Sequence, residues 1–133
     1  MFGIGSTYLY LDTVMSELKP LHWIGSAKKE LEAMPEAVQD SFGYALLLAQ
    51  KGSKHNNAKP LTGFGGAGVL EVVDIHHGNA YRAVYTVRFA KAVYVLHCFQ
   101  KKSKKGIATP KRQIDLIKAR LLIAAAQERS DWA

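Results

Sequence analysis

The chain has a single cysteine, Cys98, among its 133 residues. It cannot form an internal disulfide, and no set of cysteines and histidines has the spacing of a zinc site. A reducing, cytoplasmic compartment fits, and neither metal nor other cofactor is expected. No stretch approaches the length of a membrane span. Residues 1–15 lack the basic start and small-residue cleavage site of a secretory signal. Acids are also scarce: 11 Asp and Glu stand against 18 Lys and Arg, for a formal net charge of +7 and a pI near 9.6. That balance disfavours basic partners and favours nucleic acid or an acidic protein. Finally, no shift in composition marks a second domain, and at 48% hydrophobic residues the chain is globular rather than disordered.

What is present is concentrated toward the C-terminus. From Arg82 onward twelve Lys or Arg face three acids, Asp115, Glu128 and Asp131. The apolar run 92–99 leads into Gln100-Lys101-Lys102-Ser103-Lys104-Lys105-Gly106 and then Thr109-Pro110-Lys111-Arg112, and every charged residue between Phe99 and Ile114 is cationic. Such a loop, joining a strand to a helix, offers a grip for a polyanion.

The pattern predicts strand, two helices, three strands, helix. Leu21–Ile24 reads as a short strand, and Ser26 as the N-cap of a helix through Leu31. Pro35 opens a second helix whose apolar face is Val38, Phe42, Ala45, Leu46 and Ala49, with Gly52 beyond its end. After a polar loop, Val69–Ile75, Tyr81–Phe89 and Ala92–Phe99 have the β-branched and aromatic content of strands. His76-His77-Gly78-Asn79 and Ala90-Lys91 between them are short enough for an antiparallel meander. Thr109-Pro110 caps a last helix with Ile114, Ile117, Leu121 and Ala125 at helical spacing. The expected class is α+β, an antiparallel sheet packed by N-terminal helices and a C-terminal helix on one face. Residues 1–18 read as an extension, with Met15 as an alternative start, 19–127 as one domain and 128–133 as a tail.

Two motifs lose their usual meaning in context. Gly63-Phe64-Gly65-Gly66-Ala67-Gly68 has the letters of a dinucleotide fingerprint, but a loop precedes it and a strand follows, so its glycines serve tight turns or close backbone approach. His76-His77 has no acidic or thiol partner at a telling spacing and reads as a hairpin turn. Cys98, inside an apolar strand, reads as a core residue. His97 has the opposite parity, shares a face with Val95 and Phe99, and its nearness to the cationic loop gives it a candidate catalytic role.

Lys59-Pro60-Leu61 with Gly63, Gly68-Val69-Leu70-Glu71-Val72, Tyr81-Arg82-Ala83-Val84-Tyr85, Leu96-His97-Cys98-Phe99-Gln100-Lys101-Lys102-Ser103 and Thr109-Pro110 form an ordered series. Together they resemble the phage-derived, HigB/RelE-like toxins of type II toxin–antitoxin systems, over about residues 19–122. The resemblance implies a RelE-like fold and a metal-independent endoribonuclease that cuts mRNA in the ribosomal A site. It also implies a cognate antitoxin, often a helix-turn-helix protein encoded alongside. Arg82 matches the family's strand arginine, and Lys101 and Lys102 its paired lysines. These three and His97 are the catalytic candidates, while Lys104, Lys105, Lys111 and Arg112 are candidates for phosphate contacts with RNA.

The chain departs from the family in two places. Val73 stands where many members carry a basic residue, leaving Glu71 and Asp74 as the polar groups of that strand. No counterpart exists of the C-terminal tyrosine that some RelE-type toxins use. Two alternatives therefore stay open: a ParE-like gyrase inhibitor of the same fold, and a catalytically inactive phage-derived protein that binds RNA or protein through its basic face.

Overall fold

In the computed structural model, which describes residues 18–66, 68–101 and 109–131, five strands form one sheet in the order β1-β5-β4-β3-β2. The strands are β1 (Leu21–Trp23), β2 (Ala58–Pro60), β3 (Val69–His76), β4 (Asn79–Thr86) and β5 (Val93–Lys101); the helices are α1 (Ala27–Glu32), α2 (Glu36–Gln50) and α3 (Lys111–Asp131). β2 through β5 pair antiparallel, and β1 joins β5 in parallel. The class is the expected α+β, with the architecture of a RelE-like fold. Among the described residues no helix is long and apolar enough to cross a membrane.

The β3–β4 turn is tighter than the four residues the sequence suggests. Both strands run on until His76 pairs with Asn79, leaving only His77 and Gly78, whose φ values of 49° and 79° are those of a two-residue hairpin turn with both central residues left-handed. β2, in contrast, is absent from the sequence-based expectation. Three residues ending in proline carry no strand signal of their own, and they pair only because Ala58, Lys59 and Pro60 lie against Val72, Glu71 and Leu70 of β3.

Helices cover both faces of the sheet, not one. Val38, Phe42, Ala45, Leu46 and Ala49 of α2 are buried with Val72, Tyr81, Ala83, Tyr85, Val93, Val95 and Cys98. On the opposite face Ile117 and Ala124 of α3, flanked by Ile114 and Leu121, pack with Val69, Val84, Tyr94, Leu96 and Phe99. Both sheet faces are apolar over most of their length, so each needs a cover. Near its far end α3 is tied down at Glu128, which accepts hydrogen bonds from Tyr94 Oη (2.8 Å) and the Lys91 N–H (3.1 Å). The helix continues through Asp131, across residues the sequence assigned to a tail.

A bulge decides which side chains of β5 meet α3. Val84 pairs with His97 but Tyr85 with Val95, so Leu96 is the extra residue. Leu96 and His97 both turn toward α3, and the alternation is reset. His97 therefore shares a face with Phe99, on which it stacks at 4.7 Å, and not with Val95, which lies in the α2 core.

Candidate active site

β4 is the central strand, so Arg82 is not the sheet-edge residue that a purely structural role would have made it. It pairs with Phe99, and Ala80 pairs with Lys101. Two residues along a strand return to the same face, which puts Arg82 and Lys101 together on the α3 side, beyond the apolar patch that α3 covers. On β3, Glu71 pairs with Val84 and on β2 Lys59 pairs with Glu71, so both join this face. The start of α3 forms the opposite wall. The result is a groove of about 320 Å³ lined by Lys59, Thr62, Glu71, Arg82, Thr109 and Ile114 among others, at the small end of ligand-sized clefts.

The electrostatics of the groove centre on Arg82. Its Nη1 donates to Glu71 Oε1 at 2.6 Å, with the two side chains 15% and 14% exposed. The other carboxylate oxygen, Oε2, accepts from Thr109 Oγ1 at 3.0 Å. Arg82 Nε is buried without a partner among the described residues, as is Lys101 Nζ. Lys101 lies within β5 and is 5% exposed, although the sequence placed it on the loop after that strand. Burial, and then the Arg82 guanidinium, push its ammonium pKa down, with Glu71 opposing. A lysine so placed is a strained cation, able to give up a proton more readily than an exposed one.

His97 belongs to a different cluster. Its Nδ1 lies 2.9 Å from Glu30 Oε1 and its Nε2 2.6 Å from Gln113 Oε1, so both ring nitrogens are engaged. Glu30 also receives Arg120 Nη1 (3.1 Å) and Nη2 (3.2 Å), the Cys98 N–H (3.1 Å) and Ser26 Oγ (2.8 Å). Burial alone would raise the Glu30 pKa, but the donors, His97 and Arg120 foremost, outweigh it and hold it at about 2. Ser26 sits at the N-cap position of α1 but makes no side-chain capping bond, because its hydroxyl serves this network.

The cluster completes the sheet edge. β1 ends at Trp23, and beyond it Glu30 accepts the Cys98 N–H while Arg120 Nη1 donates to Leu96 O at 2.9 Å, filling the places of a strand's carbonyl and amide. Gly25, with φ of 57°, turns the chain beneath Arg120, where a Cβ would lie 3.1 Å from Nε.

Cys98 is inert by environment: burial, reinforced by Glu30 and opposed by Arg120, pushes its thiol up to about 12. The glycine loop does supply close backbone approach, since a Cβ on Gly68 would come within 3.0 Å of Arg88. The described residues contain no group of three or more His, Cys, Asp or Glu able to hold a metal.

Of the eight candidate site residues, then, Arg82 and Lys101 come together. His97 is committed elsewhere, and Lys111 and Arg112 are exposed on the first turn of α3, Lys111 paired with Asp115 at 2.9 Å. Lys102, Lys104 and Lys105 lie outside the described residues. Of the groove residues only Arg82 was a candidate; Thr109 read as a helix cap, and nothing local reveals that its hydroxyl reaches Glu71, 38 positions away.

Residues 29–122 match the family described as phage-derived, Gp49-like proteins. The chain belongs to this family. The match takes in β2 through β5, most of α1, all of α2 and the first half of α3, and with them every residue of the groove. Gp49-like proteins are phage-derived and related to the RelE/HigB-like toxins. No curated protein and no solved structure matches the chain.

Proposed function

We propose that this Gp49-like protein is the toxin of a type II toxin–antitoxin system, a metal-independent endoribonuclease that cuts ribosome-bound mRNA. Its partners in this reading are the ribosome, the message and an antitoxin encoded alongside. The observation that carries it is the placement, on one face of the sheet, of a central-strand arginine that lines the groove and a buried lysine whose Nζ has no partner among the described residues.

Cleavage without metal asks for three things: removal of the ribose 2′-hydroxyl proton, neutralisation of the phosphorane's charge, and protonation of the departing 5′-oxygen. The Arg82 guanidinium has the fork that pairs two phosphate oxygens. Lys101, with its lowered pKa, protonates the 5′-oxygen. Glu71 is the carboxylate within the groove and takes the 2′ proton. Attack of the 2′-oxygen on phosphorus then breaks the bond to the 5′-oxygen, leaving a 2′,3′-cyclic phosphate and a 5′-hydroxyl. The exposed cations Lys111 and Arg112 supply salt-dependent attraction to RNA backbone without reading bases.

The test is Arg82→Lys, which keeps the charge but loses the fork. Mapped message ends from induced cells should show cleavage reduced by about 10²-fold or more, the scale of removing one preorganised donor, with ribosome binding changed far less. Cleavage at the parental rate would refute the role of Arg82. Growth arrest with no cleavage by the parent would transfer the reading to gyrase inhibition.

A further inference from the structure

The Arg82–Glu71 contact is anomalous for a face so poor in acids. A partly buried ion pair is weak evidence of stability, because the cost of removing both charges from water consumes most of their attraction. Among the described residues the pair also fails to satisfy its own cation, since Arg82 Nε has no partner there, and neither has Lys101 Nζ on the same face. Arg82 and Thr109 thus both donate to one anionic group, with Lys59 opposite it in register and Lys101 on the same face of the sheet. This is the environment of a bound phosphate, with a carboxylate in its place.

We propose that in the free protein Glu71 occupies the phosphate position of the groove, and that substrate binds by exchange. A phosphate group of the RNA backbone takes Arg82 over from Glu71, while Thr109 keeps the released carboxylate in the groove. The proposal rests on the reading of Arg82 as the phosphate-binding residue. It adds that Glu71 competes with the ligand, so that the resting groove is closed by the protein's own side chain. Stray anions must displace an intramolecular rival and so bind weakly, whereas a ligand held at further points gains more.

The experiment is calorimetric titration of the full chain with inorganic phosphate at low ionic strength. Glu71→Gln preserves the shape of the side chain and removes the competing charge. It should bind phosphate about tenfold tighter or more than the parent, the scale of one charge-assisted hydrogen bond. Asp40→Asn removes an exposed charge on α2, which packs on the other sheet face, and measures the general effect of one fewer acid. If Glu71→Gln tightens binding no more than Asp40→Asn does, the exchange is overturned. A second measurement needs no variant: the Glu71 carboxyl carbon resonance of the parent should move as phosphate is added and saturate with the calorimetric curve, and a stationary resonance would also overturn the proposal. Cleavage is not the readout, so the two readings fail separately. A protein that never cuts RNA yet shows both effects would lose its nuclease assignment and keep the exchange.

Discussion

Glu30 holds together three elements that are far apart in the chain, and Glu30→Gln tests how much that is worth. A carboxyl held at about 2 against an ordinary 4.5 has its charged form favoured by the fold, equivalent to about 3 kcal/mol at neutral pH. Its side chain is 21% exposed, so solvent screening removes only part of this. The amide that replaces the carboxylate would keep the shape and some of the hydrogen bonds but leave Arg120 without its counter-charge, a loss of the same order. Urea unfolding at pH 7 should therefore show Glu30→Gln less stable than the parent by about 2 kcal/mol. The sign of the pH dependence follows from the depressed pKa. The parent's advantage is complete above 4.5, where the unfolded carboxyl is also ionised, and it is lost as pH falls toward 2 and the folded carboxyl is protonated in turn. Parallel melts between about pH 7 and about pH 2.5 should converge. A gap at pH 7 below about 1 kcal/mol, or one that stays constant down the series, would refute the assignment of Glu30 as the ionised hub.

The buried cation on the same sheet face as Arg82 gives the opposite expectation. Lys101→Met should stabilise the fold at pH 7 by about 1–3 kcal/mol, the cost of leaving a buried polar group unpaired, while abolishing cleavage. Because the folded ammonium pKa is lowered, the parent should also gain stability as pH rises toward 10.5 and the variant should not. Equal urea midpoints for the two at both pH values would contradict this. Tyr85 Oη is buried with no partner among the described residues, and burial pushes its pKa up to about 12. Tyr85→Phe should accordingly leave stability unchanged or raise it by up to about 1 kcal/mol, and a clear loss in thermal melts would reveal a hydrogen bond to that hydroxyl.

The elements with strong periodicity were legible in the sequence: the face of α2 from Val38 to Ala49 and the β-branched runs of β3, β4 and β5 are where their spacing puts them. What was not legible depends on contacts across the chain. The bulge at Leu96 reverses the parity of everything before it, so alternation alone groups His97 with Val95. β2 exists only as a partner for β3. Lys101 reads as a loop residue because lysines are seldom buried, and only the continuation of β5 opposite Ala80 draws it in. Arg82 and Lys101 could be singled out because the toxin-like motifs contain them. Glu71 belonged to those motifs but was read only as a polar group left on the strand where Val73 replaces a basic residue, and Thr109 only as a cap. Glu30, Gln113 and Arg120 carry no local signal, because their meaning lies in a meeting of residues up to 90 positions apart.

That separation has a consequence for how the chain comes to be folded. The edge of β5 beyond Trp23 is closed by Arg120, so every earlier element can be in place while that edge still shows unpaired backbone. During synthesis the interval lasts until the middle of α3 has been made, and in that interval the strand is open to pairing with another chain. Placing the closing residue so late makes the last helix the step that turns a sticky intermediate into a finished surface. A product ending short of residue 120 would lack both this closure and half of the helix that covers one sheet face, and would remain prone to aggregation.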